Sequence, residues 1–242
     1  SIVQIVPNLF NSIISMLIGV VFPVMMYYYA EGNRDELLKT LKRYQKIIGV
    51  IAGTVLICFA CLSAQFYALW TPKEDSLLLK QLTIICSIPY FFTGIFYLLF
   101  NVLISMNKVK ASALVTIPMG LLNVILSVFL SKTLFSDSPF FILALSSILK
   151  CVWDAVFLPM YVSKVMGLNK FYFYKPMLRL LGAVVVGAIL LDNMSKMLVL
   201  DSWFKLLGFG AIAGILMFAF LGIATFGKQS ISVAKELLHR RK

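Results

Sequence analysis

Two opposite charges stand one helical turn apart in an otherwise apolar stretch of the sequence. Lys150 and Asp154 lie within LSSILKCVWDAVFLPM, and their four-residue spacing places both on one face of a helix. The ammonium group could meet an anionic group of a substrate, and the carboxylate could take up a proton or a sodium ion. Alternatively, the two charges neutralise each other and lock a bundle. Because a charge at the membrane centre costs about 2.5–3.5 kcal/mol and usually has a functional role, we favour the first interpretation.

Polar residues recur at three- and four-residue steps in four apolar stretches, one of which carries the charged pair, so each set shares a helix face. Because polar groups facing lipid are costly, these faces should turn toward protein or water. They could line one hydrated cavity, which we favour, or form interhelical hydrogen bonds of about 0.6 kcal/mol each in a static bundle. Besides the charged pair, the candidate pathway residues are Gln4, Asn8, Asn11, Tyr90, Tyr97, Asn101 and Asn123.

Metal-binding and catalytic patterns are weak in this sequence. Cys58 and Cys61 have the C-x-x-C spacing of a redox or metal pair, but all four cysteines lie in apolar stretches, where packing is the commoner role. His239 is the only histidine, so a histidine-based metal site is not expected. We find no nucleophile–base pair and no phosphate-binding glycine loop. The sequence therefore predicts no metal, no cofactor and no enzymatic activity.

The elements that must position these residues are membrane-spanning helices. Hydrophobic residues make up 61% of the 242-residue chain and charged residues 13%, against about 25% charged in soluble domains. A membrane helix needs roughly 20 mainly apolar residues, and seven segments qualify. They lie near residues 2–30, 47–69, 82–106, 111–130, 140–162, 178–194 and 204–226. We predict an all-α fold, a polytopic transmembrane bundle of about seven helices with short loops. The chain begins inside the first segment without an initiator Met, which indicates a fragment of a longer protein.

Lysine and arginine are concentrated in alternate connections: those after the first, third and fifth segments, and the C-terminal tail. Basic residues favour the cytoplasmic side of a membrane. We therefore predict a multi-pass protein of the cytoplasmic membrane, with its N-terminus outside and its C-terminus inside. The net charge of +12 is then a topology signal that also suits contact with membrane lipids, rather than nucleic-acid binding.

A basic amphipathic stretch, NRDELLKTLKRY, follows the first segment. Asn33 and Glu36 have the spacing of a capping box, and Leu37, Leu38 and Leu41 share a face opposite the basic residues. The pattern predicts a helix at the membrane interface or, alternatively, a solvated linker helix.

The last two apolar segments differ from the others because polar side chains are nearly absent from them. We predict that they are peripheral and face lipid. Their glycines allow close helix contact. These glycines include Gly182, Gly187, Gly210 and Gly214.

The junction FPVMMYYYAEGNRDELLKTLKRYQKIIGVIAG, residues 22–53, resembles the polysaccharide flippase branch of the MOP transporter superfamily, which includes Wzx-type oligosaccharide flippases. The shared features are Phe22 and Pro23 late in a membrane helix, the turn AEGN, and the basic stretch that follows. The stretch ALWTPKED resembles the end of the next helix in that family. Members typically have two lobes and two extra C-terminal helices. The resemblance implies that residues 1–175 form the C-terminal lobe, 176–226 the extra helix pair and 227–242 a basic cytoplasmic tail, with the N-terminal lobe of the same protein missing.

The resemblance also implies a function. The protein would move an undecaprenyl-pyrophosphate-linked oligosaccharide to the outer leaflet by alternating access, for surface polysaccharide synthesis. Lys150 would meet the anionic headgroup, the polar stripes would accept sugar hydroxyls, and Asp154 is the candidate for a coupling ion, H⁺ or Na⁺. The alternatives are a lipid II flippase, a MATE-type multidrug antiporter, a membrane polymerase or glycosyltransferase, and a purely structural membrane subunit.

Overall fold

The structure is a computed structural model that describes residues 2–108, 110–133, 151, 155–198 and 200–227. All regular secondary structure in these ranges is helical, which confirms the predicted all-α fold class. The helices are α1 (Ile2–Ala30), α2 (Arg34–Trp70), α3 (Ser76–Ser105), α4 (Lys110–Thr133), α5 (Ala155–Val165), α6 (Lys175–Lys196) and α7 (Trp203–Phe226). Five of them, α1, α2, α3, α6 and α7, are long and apolar enough to cross a membrane within the described ranges.

Short polar side chains mark where several helices begin. Asn33 Oδ1 accepts a hydrogen bond from the Glu36 amide at 3.2 Å, as the capping pattern predicts. Asp75 Oδ1 accepts from the amides of Leu77 and Leu78 at the start of α3. Gly32, with φ at +69°, makes the turn between α1 and α2 in a backbone region that favours glycine. These local contacts mark the turn after α1 and the N-terminal ends of α2 and α3.

The prediction of a separate helix at the membrane interface is wrong. The basic amphipathic stretch and the apolar segment after it form one uninterrupted 37-residue helix, α2. Leu37, Leu38 and Leu41 are buried in the main hydrophobic core rather than presented to lipid or solvent. The amphipathic pattern correctly indicates an apolar face, but it cannot tell whether lipid or protein covers that face.

Helix α2 lies at the centre of the bundle. It packs against α1, α3, α6 and α7, while α1 also packs on α3 and α6 on α7. In their most apolar windows α2 and α3 are 56% buried, whereas α7 is 22% buried. Only a narrow stripe of α7 faces the protein, namely Leu206, Ala213, Met217, Leu221 and Thr225. Helix α6 is 28% buried in its most apolar window, as is α1, so α6 and α7 lie at the periphery of the described bundle. That these two helices face lipid, and that they form an extra pair beside a lobe, stay predictions.

Close helix approach depends on glycines that the sequence pattern did not single out. A Cβ added to Gly53 of α2 would lie 2.9 Å from Val184 Cγ2 and 3.1 Å from Leu221 Cδ1, and one on Gly49 would overlap the side chain of Leu180. Of the four glycines predicted in α6 and α7, Gly187 alone makes such a tight contact, against Ile57 of α2. The prediction was wrong for the other three because they face away from neighbouring helices or meet them at ordinary distances. A Cβ on Gly182 or Gly214 would meet no atom within 4 Å, and one on Gly210 would meet Leu62 at 3.6 Å.

Candidate functional site

The charged pair of Lys150 and Asp154 lies outside the described residues, as does the side chain of Gln4. The described neighbour Cys151 is buried, and its thiol donates to the Pro89 carbonyl of α3 at 3.4 Å. Further along, Leu158 of α5 belongs to the main hydrophobic core. The described residue between the two charges and the chain after them therefore pack into the bundle.

Helix α1 has three distinct faces. The face against α2 and α3 is buried and consists of Phe10, Ile14, Ile18, Val21 and Met25. At about 100° per residue, two exposed surfaces lie on opposite flanks of this face. One is apolar and includes Leu9, Ile13, Met16 and Val20. The other is polar and consists of Asn8, Asn11 and Ser15, which we call the polar flank of α1.

The two flanks differ in what can cover them. Apolar side chains such as Leu9 suit lipid, whereas exposed amides in a membrane helix need water or protein as a partner. The predicted pathway residues Asn8 and Asn11 therefore stand on a surface that is distinct from the lipid-type face of the same helix.

Helix α3 runs beside α1 and carries the second predicted stripe. Gly94 packs on Ile14, and Ser105 Oγ lies 2.6 Å from Met26 Sδ, so residues about 80 apart in the chain share the same depth. On α3, Tyr97 is 44% exposed, while Tyr90 and Asn101 are half-buried. Tyr97 therefore lies about one turn beyond the polar flank of α1, toward the basic end of the bundle.

Hydrogen bonds along the described stripes run mainly within each helix. Ser12 Oγ donates to Asn8 O at 2.9 Å, and Ser105 Oγ donates to Asn101 O at 2.9 Å. On α4, Ser127 Oγ donates to Asn123 Oδ1 at 3.4 Å, and Asn123 is half-buried. These three hydrogen bonds do not join one helix to another, and whether the stripes line a shared cavity stays a prediction.

An ion cluster ties α3 to α6 at the end of the bundle opposite the basic connections. Asp192 Oδ2 lies 2.6 Å from Lys196 Nζ, one turn further along α6, and its Oδ1 lies 3.5 Å from Lys80 Nζ of α3. The spacing of Asp192 and Lys196 was visible in the sequence, but no pattern pointed to Lys80. In the following connection, a hydrogen bond from Lys205 lowers the pKa of the exposed Asp201 carboxyl.

Two contacts hold α5 at the basic end of the bundle. Arg34 at the start of α2 donates through its guanidinium to the Met166 carbonyl, just after α5. The Tyr174 hydroxyl lies 2.8 Å from the carbonyls of both Ala155 and Val156, and burial raises the pKa of this tyrosine to about 12. Tyr174 is therefore a neutral hydrogen-bond donor over the physiological pH range.

These features define a polytopic α-helical membrane protein with polar surfaces on helices long enough to span a bilayer. Over 224 residues the chain is 26% identical to a Bacillus subtilis (strain 168) protein described as the uncharacterized membrane protein EpsK. The match covers 90% of this chain and 43% of that protein, so the chain spans less than half the length of the curated relative. No protein-family model matches the chain, and neither does any solved structure.

Proposed function

We propose that the chain is part of a flippase that moves an undecaprenyl-pyrophosphate-linked oligosaccharide to the outer leaflet of the cytoplasmic membrane for surface polysaccharide synthesis. The observation that carries the proposal is the polar flank of α1. Helix α1 presents exposed side-chain amides on one flank and an exposed apolar surface on the other. A lipid-linked sugar has the same two-part chemistry.

The polar flank suits the sugar portion of this substrate. An asparagine side chain offers two donors and an acceptor, so Asn8 and Asn11 can exchange hydrogen bonds with successive hydroxyls as a glycan passes. The half-buried Tyr90 and the exposed Tyr97 of α3 offer further hydroxyls near the same side of α1. The polyprenyl tail would remain in the bilayer, which needs no protein passage for it.

The polar flank also needs an opposite wall, and we propose that an N-terminal lobe of the same protein supplies it. The alignment with a relative more than twice as long as the matched region leaves room for such a lobe. Alternation of the two lobes would expose the passage to each side of the membrane in turn. In this arrangement Lys150 meets the pyrophosphate, and Asp154 takes up the coupling H⁺ or Na⁺.

The proposal predicts that the two flanks of α1 contribute differently to transport. In the full-length protein, the double variant Asn8→Leu, Asn11→Leu should reduce delivery of the glycan to the cell surface about tenfold, because two amide sites are lost at about 0.6 kcal/mol or more each. The matched control is Leu9→Ala, Ile13→Ala on the apolar flank, which should keep delivery near the wild-type level. Surface glycan is measured by lectin binding and protein level by immunoblot.

A reconstituted assay separates transport from assembly of the polysaccharide. Liposomes containing the purified protein receive a fluorescent lipid-linked oligosaccharide, and a membrane-impermeant quencher reports its movement between leaflets. If the Asn8→Leu, Asn11→Leu variant flips the lipid at the same rate as the wild type, at equal protein levels, the proposed role of Asn8 and Asn11 is wrong.

A further inference from the structure

A large open cavity lies at the basic end of the bundle, away from the polar flank of α1. Its volume is about 1140 Å³, and its walls come from α2, the connection before α6, α6 itself and the end of α7. Four cationic side chains line it: Lys42 and Lys46 from α2, and Lys175 and Arg179 from α6. Within the described part of the chain, no acidic residue contributes to this lining.

The four cations form two pairs, each with a four-residue spacing that places both members on one helix face. Lys42 and Lys46 are half-buried, and their charges are positioned by aromatic rings. The Lys42 ammonium lies 3.4 Å from the centroid of the Tyr172 ring, and the Lys46 ammonium lies 5.5 Å from that of Phe226. Since like charges at such a site repel each other without a counter-ion, the arrangement favours an anion between the two helices.

Thr225 of α7 gives an independent indication of a ligand. The residue is 4% exposed and belongs to the cavity wall, and its buried hydroxyl has no hydrogen-bond partner among the described residues. A buried hydroxyl without a partner is unfavourable, so such a group beside a cationic cluster points to an acceptor that belongs to the ligand. A phosphate oxygen is an acceptor of this kind.

The cavity also has an apolar part that a free inorganic anion would not need. Phe171 is 63% exposed and Leu178 is 67% exposed, and both lie in its wall. Aromatic and basic side chains together are typical of the level at which lipid headgroups meet the hydrocarbon of a bilayer. The wall along α6 therefore suits an acyl chain that continues from a headgroup bound by the cations.

We propose that this cavity binds the phosphate headgroup of an anionic membrane lipid. Lys42 and Lys46 of α2 and Arg179 of α6 contact the phosphate from two sides, and Thr225 donates a hydrogen bond to it. The acyl chains leave along the apolar wall beside Leu178. This site is separate from the proposed transport passage and does not depend on the transported substrate.

Lipid binding is tested on the full-length protein by native mass spectrometry from detergent. We expect phosphatidylglycerol to be retained in preference to phosphatidylcholine. The double variant Lys46→Gln, Arg179→Gln should bind phosphatidylglycerol about 30-fold more weakly, because two basic side chains near the phosphate are lost. The matched control is Lys108→Gln, Lys110→Gln, which removes the same charge from exposed positions just before α4 and at its first residue and should leave binding unchanged.

A second variant separates the hydrogen bond from the charge. Thr225→Val keeps the shape of the side chain and all four cations, and it should weaken phosphatidylglycerol binding several-fold while the protein still unfolds at the wild-type temperature. Equal retention of the neutral and anionic lipids would overturn the proposal, and so would unchanged binding in the Lys46, Arg179 variant. Binding of inorganic pyrophosphate as tight as that of phosphatidylglycerol, measured without added lipid, would overturn the assignment to a lipid headgroup.

Discussion

Tyr174 shows how one side chain can hold a connection in place by staying uncharged. Its hydroxyl reaches two carbonyls at the start of α5, and burial raises its pKa from 10.0 to about 12. Nothing in the sequence distinguished this tyrosine from its neighbours Tyr172 and Phe173. The Asn33 cap, in contrast, was predictable because its partner Glu36 is three residues away. The Tyr174 contact could not be predicted in this way, because it joins α5 to the connection before α6 and forms only when the bundle packs.

The raised pKa predicts a specific pH dependence. Between about pH 10 and pH 12 the unfolded chain loses the Tyr174 proton while the folded chain keeps it, so stability falls as pH rises through this window. Tyr174→Phe should cost about 1 kcal/mol at pH 8 through the lost hydrogen bond and should be less sensitive to pH above 10. Thermal unfolding at pH 8 and pH 11 measures both effects. Tyr29→Phe, at an exposed tyrosine, is the control; identical pH profiles for wild type and Tyr174→Phe would refute this role.

Among the elements, α2 carries most of the packing of the bundle. Its apolar half and its basic amphipathic half are one helix, so α1, α3, α6 and α7 are arranged around a common axis. Helices α6 and α7 can pack closely on α2 because Gly49 and Gly53 carry no side chain. The side chains of Leu180, Val184 and Leu221 lie against these two glycines. The four-residue spacing of two glycines in GVIAG was a weak signal of this contact.

Helix packing at Gly53 is testable with a matched pair of substitutions. Gly53→Ala should lower stability by about 1–3 kcal/mol, because the added methyl group overlaps Val184 and Leu221 in a packed interface. Gly182→Ala places the same methyl group on α6, where no atom lies within 4 Å, and should cause no loss. Thermal unfolding in detergent, followed by circular dichroism, compares the two. Equal melting temperatures for both variants would show that α6 does not pack tightly on α2.

At the scale of the whole molecule, this chain matches 43% of its curated relative and exposes the polar flank of α1. Both facts are consistent with a bundle that faces a second lobe of the same protein, as the proposed function requires. The buried surfaces of α1, α2 and α3 nevertheless form a continuous core within this chain. The proposed lobe would therefore cover a surface that is already shaped by internal packing.

The charged pair allows the transport mechanism to be separated from simple bundle stability. In the full-length protein, Lys150→Ala should reduce surface delivery of the glycan at an unchanged protein level. If Lys150 binds the substrate, the double variant Lys150→Ala, Asp154→Ala should stay defective, and Lys150→Arg should retain most delivery because the cation remains. If the double variant instead recovers wild-type delivery, mutual neutralisation is the only role of the pair. Normal delivery by Lys150→Ala would remove this residue from the mechanism.

The sequence by itself determined the helical class, the approximate boundaries of the described helices other than α2, and the polar face of α1. These properties follow from composition, periodicity and capping, which act between residues close in the chain. Only the tertiary structure decided that Leu37, Leu38 and Leu41 are covered by protein, and that Lys42 and Lys46 meet Arg179 at one cavity. Hydropathy shows that a face is apolar but not what covers it. Contacts between distant helices depend on which surfaces fit together when the bundle packs.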